Sequence, residues 1–350
     1  MFTGLKNKIR SWLLQKAYKI PRYADLYFAI NNAFQNEHYS VLRGRYLFDA
    51  NKRDEVSGFE YALRRNIHRI EKGLITQPRR GVFGLEYIEE TITHFQAYLL
   101  LEDNCSRFDS SLAKWATAVL EEYFNVTDEH EIVNRCEKLF KPLLQVSIQG
   151  DSVKPAPYKR GENSAGISYE EFAKLCRRRC STRYYLNKKV PNQLLDLAVE
   201  AAAQSPSACN RQPFVFRIYN DMELARKISS IPVGASTYAH QIPCLVVLVG
   251  QLRAFASEAD RHVIYIDASL AAMSFELALE TLGLSSCSIN WRDDQKLNNQ
   301  VASIMGLDSD EVVIMMISVG FPDPDGMVPY SQKKSLDKIR RYNEINLGNE

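Results

Sequence analysis

Two apolar runs, the second interrupted only by Ser318, constrain the fold more than any other feature of this 350-residue chain. Cys244–Val249 and Val312–Val319 have the length of strands, and runs of this kind are typical of strands that are covered on both faces. Between them, Asp267–Leu282 is apolar almost all round at helical length, which predicts a central buried helix ended by Gly283. The sequence therefore predicts a sheet with helices on both faces.

Weaker signals complete the order of elements in the second half. Shorter strands are predicted over Phe214–Tyr219 and Ser286–Ile289. Ser168 and Glu171 have capping-box spacing and predict the start of a helix. The order of elements indicates an α+β class with a mixed or antiparallel central sheet. Because the G-x-G-x-x-G turn is missing, the pattern argues against a classical dinucleotide-binding dehydrogenase.

The first half has helical periodicity from Arg22 to Phe140, without convincing strand alternation. Four apolar faces recur at helical spacing: Phe59, Leu63, Ile67, Ile70 and Leu74; Leu85, Ile88, Ile92, Phe95 and Leu99; Leu112, Trp115, Val119 and Tyr123; and Val133, Cys136 and Phe140. A stretch rich in Gly and Pro follows. We therefore predict a helical region over 1–150, a linker over 151–167 and a second domain over 168–350.

Composition excludes several classes of protein. The net charge of +2 gives no field that would attract nucleic acid. The 7 cysteines are scattered without a C-x-x-C pair, which indicates neither a disulfide framework nor a zinc site and suits a reducing cytoplasm. We expect no metal, and we identify no signal peptide and no apolar run of bilayer length. Residues 1–20 predict a basic amphipathic helix docked on protein, with weak membrane-surface contact as the alternative.

A basic cluster with two hydroxyls lies near the middle of the chain. The sequence R-R-R-C-S-T-R places Arg179, Cys180, Ser181 and Arg183 in one short segment. Guanidinium forks match phosphate oxygens, and hydroxyls add further donors, so the cluster is typical of an anion site. A solvated helix end is the alternative, because arginine is favoured in the last turn of a helix.

A second motif follows the cluster, after one predicted helix. The loop S-P-S-A-C-N-R-Q-P-F contains the residues Pro206, Ser207, Ala208, Asn210 and Gln212. Together, the two motifs resemble the nitroreductase family of flavin enzymes. The resemblance implies that an R-x-S-x-R segment holds the phosphate of FMN and that the P-S-x-x-N-x-Q-P loop packs near the flavin.

Further residues fit the same resemblance, which extends over about Tyr169–Ile339. Asp267-Ala268-Ser269 matches the start of the family's central helix, and Val319-Gly320-Phe321-Pro322 matches a strand end. The resemblance places a loop over the flavin at Ser288, Ile289 and Asn290. It also implies a basic residue that completes the phosphate site, for which Lys333 and Lys334 are the candidates.

The resemblance implies a function as well as a nitroreductase-like fold. The expected enzyme is a homodimer with two FMN sites that takes hydride from NADH or NADPH by a ping-pong reaction. The small-molecule acceptor would be a nitro compound, a quinone or a specialised biosynthetic substrate, and we assign no catalytic side chain. The alternative is a degenerate flavin site on a partner-binding module in surface polysaccharide synthesis.

Two features leave alternatives open. The segment Arg64–Leu74, followed by Arg79 and Arg80, predicts either a site for an acidic ligand or a charged outer helix face ended by Gly73. Trp291 stands at the predicted flavin-covering loop. Its bulky ring either narrows the substrate pocket or belongs to a core or an interface.

Overall fold

The computed structural model describes residues 11–14, 16–17, 20–31, 34–51, 56–101, 108–146, 155–162 and 164–344. Of the predicted basic helix over Leu5–Ile20, residues 11–14 and 16–17 are described and helical, whereas residues 5–10 lie outside the described residues. Part of the predicted linker over 151–167 also lies outside them. The surface-contact alternative for residues 1–20 and the division of the chain into domains stay predictions.

The described part of the first half is helical, as predicted. Apolar side chains recur every three to four residues along these segments, so each helix presents one face for burial. The helices are α1 (Pro21–Asn31), α2 (Gln35–Asn51), α3 (Val56–Ile75), α4 (Ile88–Leu99), α5 (Ser110–Val126) and α6 (Glu131–Phe140), followed by a 3₁₀ segment (Lys141–Val146).

Helices α3 to α6 enclose a core of their own. It contains members of all four predicted apolar faces, among them Ile67, Phe95, Tyr123 and Phe140. The predicted faces are therefore confirmed. The alternative of a charged helix face ended by Gly73 is wrong in its end point, because the helix continues to Ile75.

The second half carries the sheet. Its elements are α7 (Tyr169–Arg178), α8 (Asn192–Ala203), β1 (Phe214–Tyr219), α9 (Met222–Ser229), β2 (Cys244–Gln251), α10 (Val263–Thr281), β3 (Ser285–Asn290), α11 (Gln295–Met305), β4 (Glu311–Gly320) and α12 (Leu336–Ile339). In the described residues, four strands form an antiparallel sheet in the order β1-β2-β4-β3. The predicted α+β class and central sheet are confirmed.

Alternation of side chains explains the two apolar runs. Along β2, Val246 and Leu248 face a core that includes residues of α8 and α10. Leu245 and Val247 face a second core, which includes residues of α9 and α11. Because successive side chains of a strand point to opposite faces, a strand between two helical layers must be apolar throughout.

Helix α10 lies against the sheet, but the structure corrects the expectation that it is buried all round. One face is buried, whereas Ile266, Leu270 and Met273 are 58%, 44% and 43% exposed. By length and composition alone, residues 258–281 could also cross a membrane, contrary to the expectation that no apolar run reaches bilayer length. The buried face of α10 packs in the core beside β2.

The two halves share packing. Tyr61 of α3 belongs to the core beside α10, and its hydroxyl donates a hydrogen bond to Gln251 at the end of β2. Helix α2 approaches the turn after β2 so closely that a Cβ at Gly44 would lie 2.6 Å from Cβ of Leu252. The helical half therefore contributes to the core of the second half.

Candidate functional site

The basic segment is held at the edge of the sheet. Helix α7 begins with the predicted capping box of Ser168 and Glu171 and ends at Arg178. The chain then runs alongside β3, where Ser181 forms a parallel bridge with Ser286 and the Thr182 amide donates to the Ser286 carbonyl at 3.0 Å. This bridge fixes the positions of residues 179–183 relative to β3.

Two buried carboxylates of α10 face this segment. Glu276 lies 3.5 Å from the Arg179 guanidinium, and its side chain is 5% exposed. Glu276 also accepts a hydrogen bond from Ser288 on β3. Arg179 is only 19% exposed, so it is not part of a solvated helix end.

Glu280 repeats this arrangement one helical turn later. It lies 3.5 Å from Arg178 and accepts a hydrogen bond from Ser285 at 2.9 Å. Burial raises the pKa of Glu280, and the Ser285 hydroxyl and the nearby arginines oppose that shift. We did not identify Glu276 and Glu280 from the sequence, although two acids four residues apart in an otherwise apolar helix were a usable signal.

Arg183 has a different environment. Its guanidinium donates to the Ser181 carbonyl at 3.2 Å and lies over the Tyr238 ring, 5.9 Å from the centroid. Among the described residues, no carboxylate lies within the 4.0 Å ion-pair distance of Arg183. Nearby, the Ser286 hydroxyl is buried without a hydrogen-bond partner. Arg183 therefore retains donors that an anion could use.

Cys180 lies between these residues and is half-buried. Its sulfur is 3.9 Å from the Thr182 hydroxyl. The cysteines in the described part of the chain are all free thiols. Within the same residues, no group of three His, Cys, Asp or Glu side chains is arranged to hold a metal ion.

The second motif forms a tight loop after α8. Cys209, Asn210 and Gln212 all have positive φ, at 54°, 51° and 50°. The Ser207 hydroxyl accepts from the Gln212 amide at 3.0 Å. Non-glycine residues with positive φ are uncommon, and they persist where the surrounding structure compensates for their cost. The loop is thus a specifically built conformation.

Asp267 of α10 anchors this loop. It is 3% exposed and accepts a hydrogen bond from the Ala208 amide at 3.0 Å. Burial raises the pKa of Asp267, and the Ala208 amide and the Arg211 charge oppose that rise. The neighbouring Arg211 is 6% exposed, and its Nε is buried without a hydrogen-bond partner.

The two motifs contact different parts of α10. Asp267 at the loop and Glu276 at Arg179 are separated by nine residues, or about 13 Å of helix at 1.5 Å per residue. Pro206 is exposed, and Asn210 and Gln212 are half-buried, on the loop side. The structure thus keeps the two motifs apart along this helix within one chain.

The remaining predicted site residues lie at the β3 end or in the tail. Ser288 and Asn290 are exposed on β3, and Ile289 between them is buried. Lys333 and Lys334 are exposed just before α12. Because their ammonium groups face solvent, the structure leaves them outside the half-buried cluster of Arg179 and Arg183.

Trp291 follows β3 and is a core residue. It is 9% exposed, packs with residues of α9 and α11, and donates from Nε1 to Asn298 at 2.8 Å. This placement agrees with the alternative that its ring belongs to a core.

An antiparallel sheet backed by a long helix, with two arginines and a serine beside the edge strand, defines an α+β protein with a candidate anion site at the sheet edge. A family model described as the nitroreductase family matches residues 176–239 and 231–321. Over these residues the chain is similar to the nitroreductase family, and the predicted nitroreductase-like fold is confirmed.

Individual proteins show the same similarity. Human iodotyrosine deiodinase 1 is 24% identical over 198 residues, which cover 49% of this chain and 68% of that protein. A candidate NADH dehydrogenase/NAD(P)H nitroreductase of Archaeoglobus fulgidus is 25% identical over 176 residues, which cover 49% of this chain and 98% of the relative. Both matches cover about half of this chain.

Solved structures also match the chain. The FMN-dependent nitroreductase of Clostridium difficile R20291 has 24% identity and a TM-score of 0.42, covering 49% of this chain and 98% of that one. A nitroreductase family protein of Streptococcus pneumoniae TIGR4 has 22% identity and a TM-score of 0.42, covering 49% and 99%. The comparisons give no support to the alternative of a partner-binding module in polysaccharide synthesis.

Proposed function

We propose that this protein is an FMN-dependent oxidoreductase that transfers hydride from NADH or NADPH to a small organic acceptor. The observation that supports it most directly is the half-buried cluster of Arg179, Ser181 and Arg183 beside β3, within a nitroreductase family domain. A cluster of two guanidinium groups and a hydroxyl suits the phosphate of FMN. The family match supports a flavin rather than another phosphorylated ligand.

In this proposal the protein holds and orients the cofactor. Arg183 supplies free donors to the phosphate, and Arg179 is kept in place by Glu276. Ser181 adds a hydroxyl from the segment that is fixed to β3. When bound, the flavin supplies the chemistry of hydride acceptance and donation, while the protein supplies position and charge.

The loop over 205–212 is proposed to face the flavin of a second subunit. Two observations support a homodimer with shared sites. First, the loop and the arginine cluster contact positions about 13 Å apart on α10, so a single chain keeps the two motifs apart. In addition, Ile266, Leu270 and Met273 form an exposed apolar stripe on one face of that helix. Within the same proposal, Lys333 or Lys334 reaches the phosphate from the exposed tail.

The proposed location is the cytoplasm. The described cysteines are free thiols, including Cys176 and Cys180, which lie close together in the sequence. Thiols of this kind persist in a reducing compartment.

Loss of flavin from the double variant Arg179→Ala, Arg183→Ala tests the proposed site. The purified wild-type protein should be yellow and should keep its flavin absorbance through gel filtration. The double variant should lose most of it, because each charge-assisted contact contributes about 1.5–3 kcal/mol.

Arg177→Ala is the matched control, because Arg177 is exposed and belongs to the same basic run. It should retain flavin as the wild type does. A wild-type protein that stays colourless after incubation with excess FMN would contradict the proposal.

The acceptor is proposed only by class. A panel of nitroarenes, quinones and halogenated tyrosines, each assayed with NADH and NADPH, covers the chemistry named for the relatives. Halogenated tyrosines are included because iodotyrosine deiodinases are among those relatives. If NADH or NADPH is oxidised only when one class of acceptor is present, that class is the substrate class.

A further inference from the structure

A basic pocket lies in the helical half, outside the family domain. It has a volume of about 480 Å³ and is formed by the end of α3, the connection to α4 and the residues just before α4. Its lining includes Arg69, Lys72, Arg80, Phe83, Glu86 and Tyr87. Small-molecule sites are typically about 300–1,000 Å³, so the volume suits a metabolite.

The charges of the lining favour an anion. Three cations, Arg69, Lys72 and Arg80, face one carboxylate, Glu86, which lies 3.7 Å from Arg69 and is 87% exposed. Within the described part of the chain, neither Lys72 nor Arg80 has a carboxylate within the 4.0 Å ion-pair distance. Asp128 lies against the neighbouring Gly81 but does not line the pocket.

Tyr87 adds a hydrogen-bond donor and a support for one cation. The Arg69 guanidinium lies 3.6 Å from the centroid of the Tyr87 ring. Such stacking limits the freedom of the arginine and presents its fork to the pocket. Burial raises the pKa of the Tyr87 phenol further above neutral pH, and the Arg69 charge opposes this shift.

The wall of the pocket is held in position by packing. A Cβ at Gly73 would lie 2.2 Å from ring carbons of Phe83, so only glycine lets this ring pack on α3. The Phe83 carbonyl accepts a hydrogen bond from Tyr123 at 2.7 Å, and Gly84 turns the chain with a φ of +76°. A wall fixed in advance lowers the ordering cost of binding.

We propose that this pocket binds a small molecule carrying a phosphate or diphosphate group. Lys72 and Arg80 supply unpaired positive charge, and Arg69 supplies a planar fork. Phe83 and Tyr87 provide apolar surface for the rest of the ligand. The lining lies at residues 69–87, outside the residues matched by the family model, and shares no residue with the proposed flavin site.

Arg79 and Arg80 provide a matched pair for the test. They are neighbours in sequence and both are exposed, but only Arg80 lines the pocket. The experiment is isothermal titration calorimetry of the full flavin-loaded chain with inorganic pyrophosphate and, separately, with a nucleoside diphosphate. Saturating the protein with FMN beforehand keeps the flavin site from contributing heat.

The wild type should bind at least one probe saturably. Arg80→Ala and Lys72→Met should each weaken binding about tenfold or more, the loss expected for a charge-assisted bond to phosphate. Arg79→Ala should change affinity by less than about twofold. Thermal unfolding of each variant checks that the fold is intact.

Two results would overturn the proposal. One is the lack of saturable binding of either probe to the wild type. The other is an equal loss of affinity in Arg79→Ala and Arg80→Ala, which would indicate a diffuse charge effect rather than a pocket.

Discussion

Three carboxylates of α10, Asp267, Glu276 and Glu280, are buried, and each is compensated by a different set of partners. Asp267 accepts from a backbone amide of the second-motif loop. Glu276 and Glu280 each combine a serine of the β3 region with an arginine of the basic segment. A buried charge is costly unless it is paired and hydrogen-bonded. These acids therefore fix both proposed flavin-binding segments to one helix.

At Asp267 the raised pKa gives a prediction with a definite sign. The folded state binds the proton more tightly than the unfolded state, so this group's stabilising contribution is complete below its usual pKa of 3.8. The contribution is lost as the pH rises through the folded pKa. Asp267→Asn does not titrate, and its amide oxygen can still accept from Ala208.

We therefore expect the free energy of unfolding of Asp267→Asn, relative to the wild type, to increase between about pH 4 and pH 7. Urea denaturation of both proteins at several pH values measures this difference. A difference that stays constant or decreases over that range would show that the carboxyl is not destabilised by burial.

Among the elements, the turn Leu252–Ala254 after β2 connects much of the molecule. Arg253 of this turn is 8% exposed and holds Asp310 at the start of β4 through Nε at 2.8 Å and through its terminal nitrogen at 2.6 Å. Asp310 is fully buried. The same turn packs against α2 and α3. One buried ion pair thus joins two strands at the place where the helical half docks.

Arg253→Met should destabilise the protein by about 3–5 kcal/mol, because it leaves the Asp310 charge buried without its partner. The midpoint and slope of urea denaturation measure this loss. Arg45→Met is the control, since Arg45 forms an exposed pair with Asp49 at 2.9 Å and its replacement should have little effect on stability. Similar losses of stability in the two variants would contradict a special contribution of the buried Arg253–Asp310 pair.

At the scale of the whole molecule, the described residues form one core in the helical half and two on the faces of the sheet, and the halves meet through Tyr61 and the Gly44–Leu252 contact. The exposed stripe of α10 lies in the second half and includes Ile266, Leu270 and Met273. Apolar side chains at i, i+4 and i+7 form a continuous surface on one side of a helix. The proposed dimer covers this surface.

The double variant Leu270→Glu, Met273→Glu should convert the dimer to monomers, because it places two charges in an apolar interface. Sedimentation velocity reports the change in mass. Leu139→Glu introduces a charge at a side chain that is 57% exposed on α6 and should leave the mass unchanged. A wild type that sediments as a monomer, or a double variant that remains dimeric, would exclude this interface.

Local signals predicted much of the fold. The bounds of β1 and the cap at Ser168 agree with the structure, because each depends on a few neighbouring residues. The strand β2 was predictable from its apolar run, since burial on both faces leaves no polar positions. The motif that contains Arg179, Ser181 and Arg183 was likewise recognisable, because its residues are close together in the sequence.

Features that depend on distant residues were not predictable. Gly73 was interpreted as a helix end, but it is required by the ring of Phe83 packing on α3. The pairing of Glu276 with Arg179 joins residues almost a hundred positions apart. The exposed face of α10 was also missed, because an apolar composition does not show which side of a helix is left uncovered in the chain.

The place of Tyr61 in the core beside α10 bears on how this protein can be divided for study. A fragment that begins at residue 155 would keep the whole family match and lose α2 and α3. It would open the core at Leu252, remove the phenol that bonds Gln251, and expose the surface that Gly44 now covers. The part of the chain that the family model matches is therefore best studied with the helical half attached.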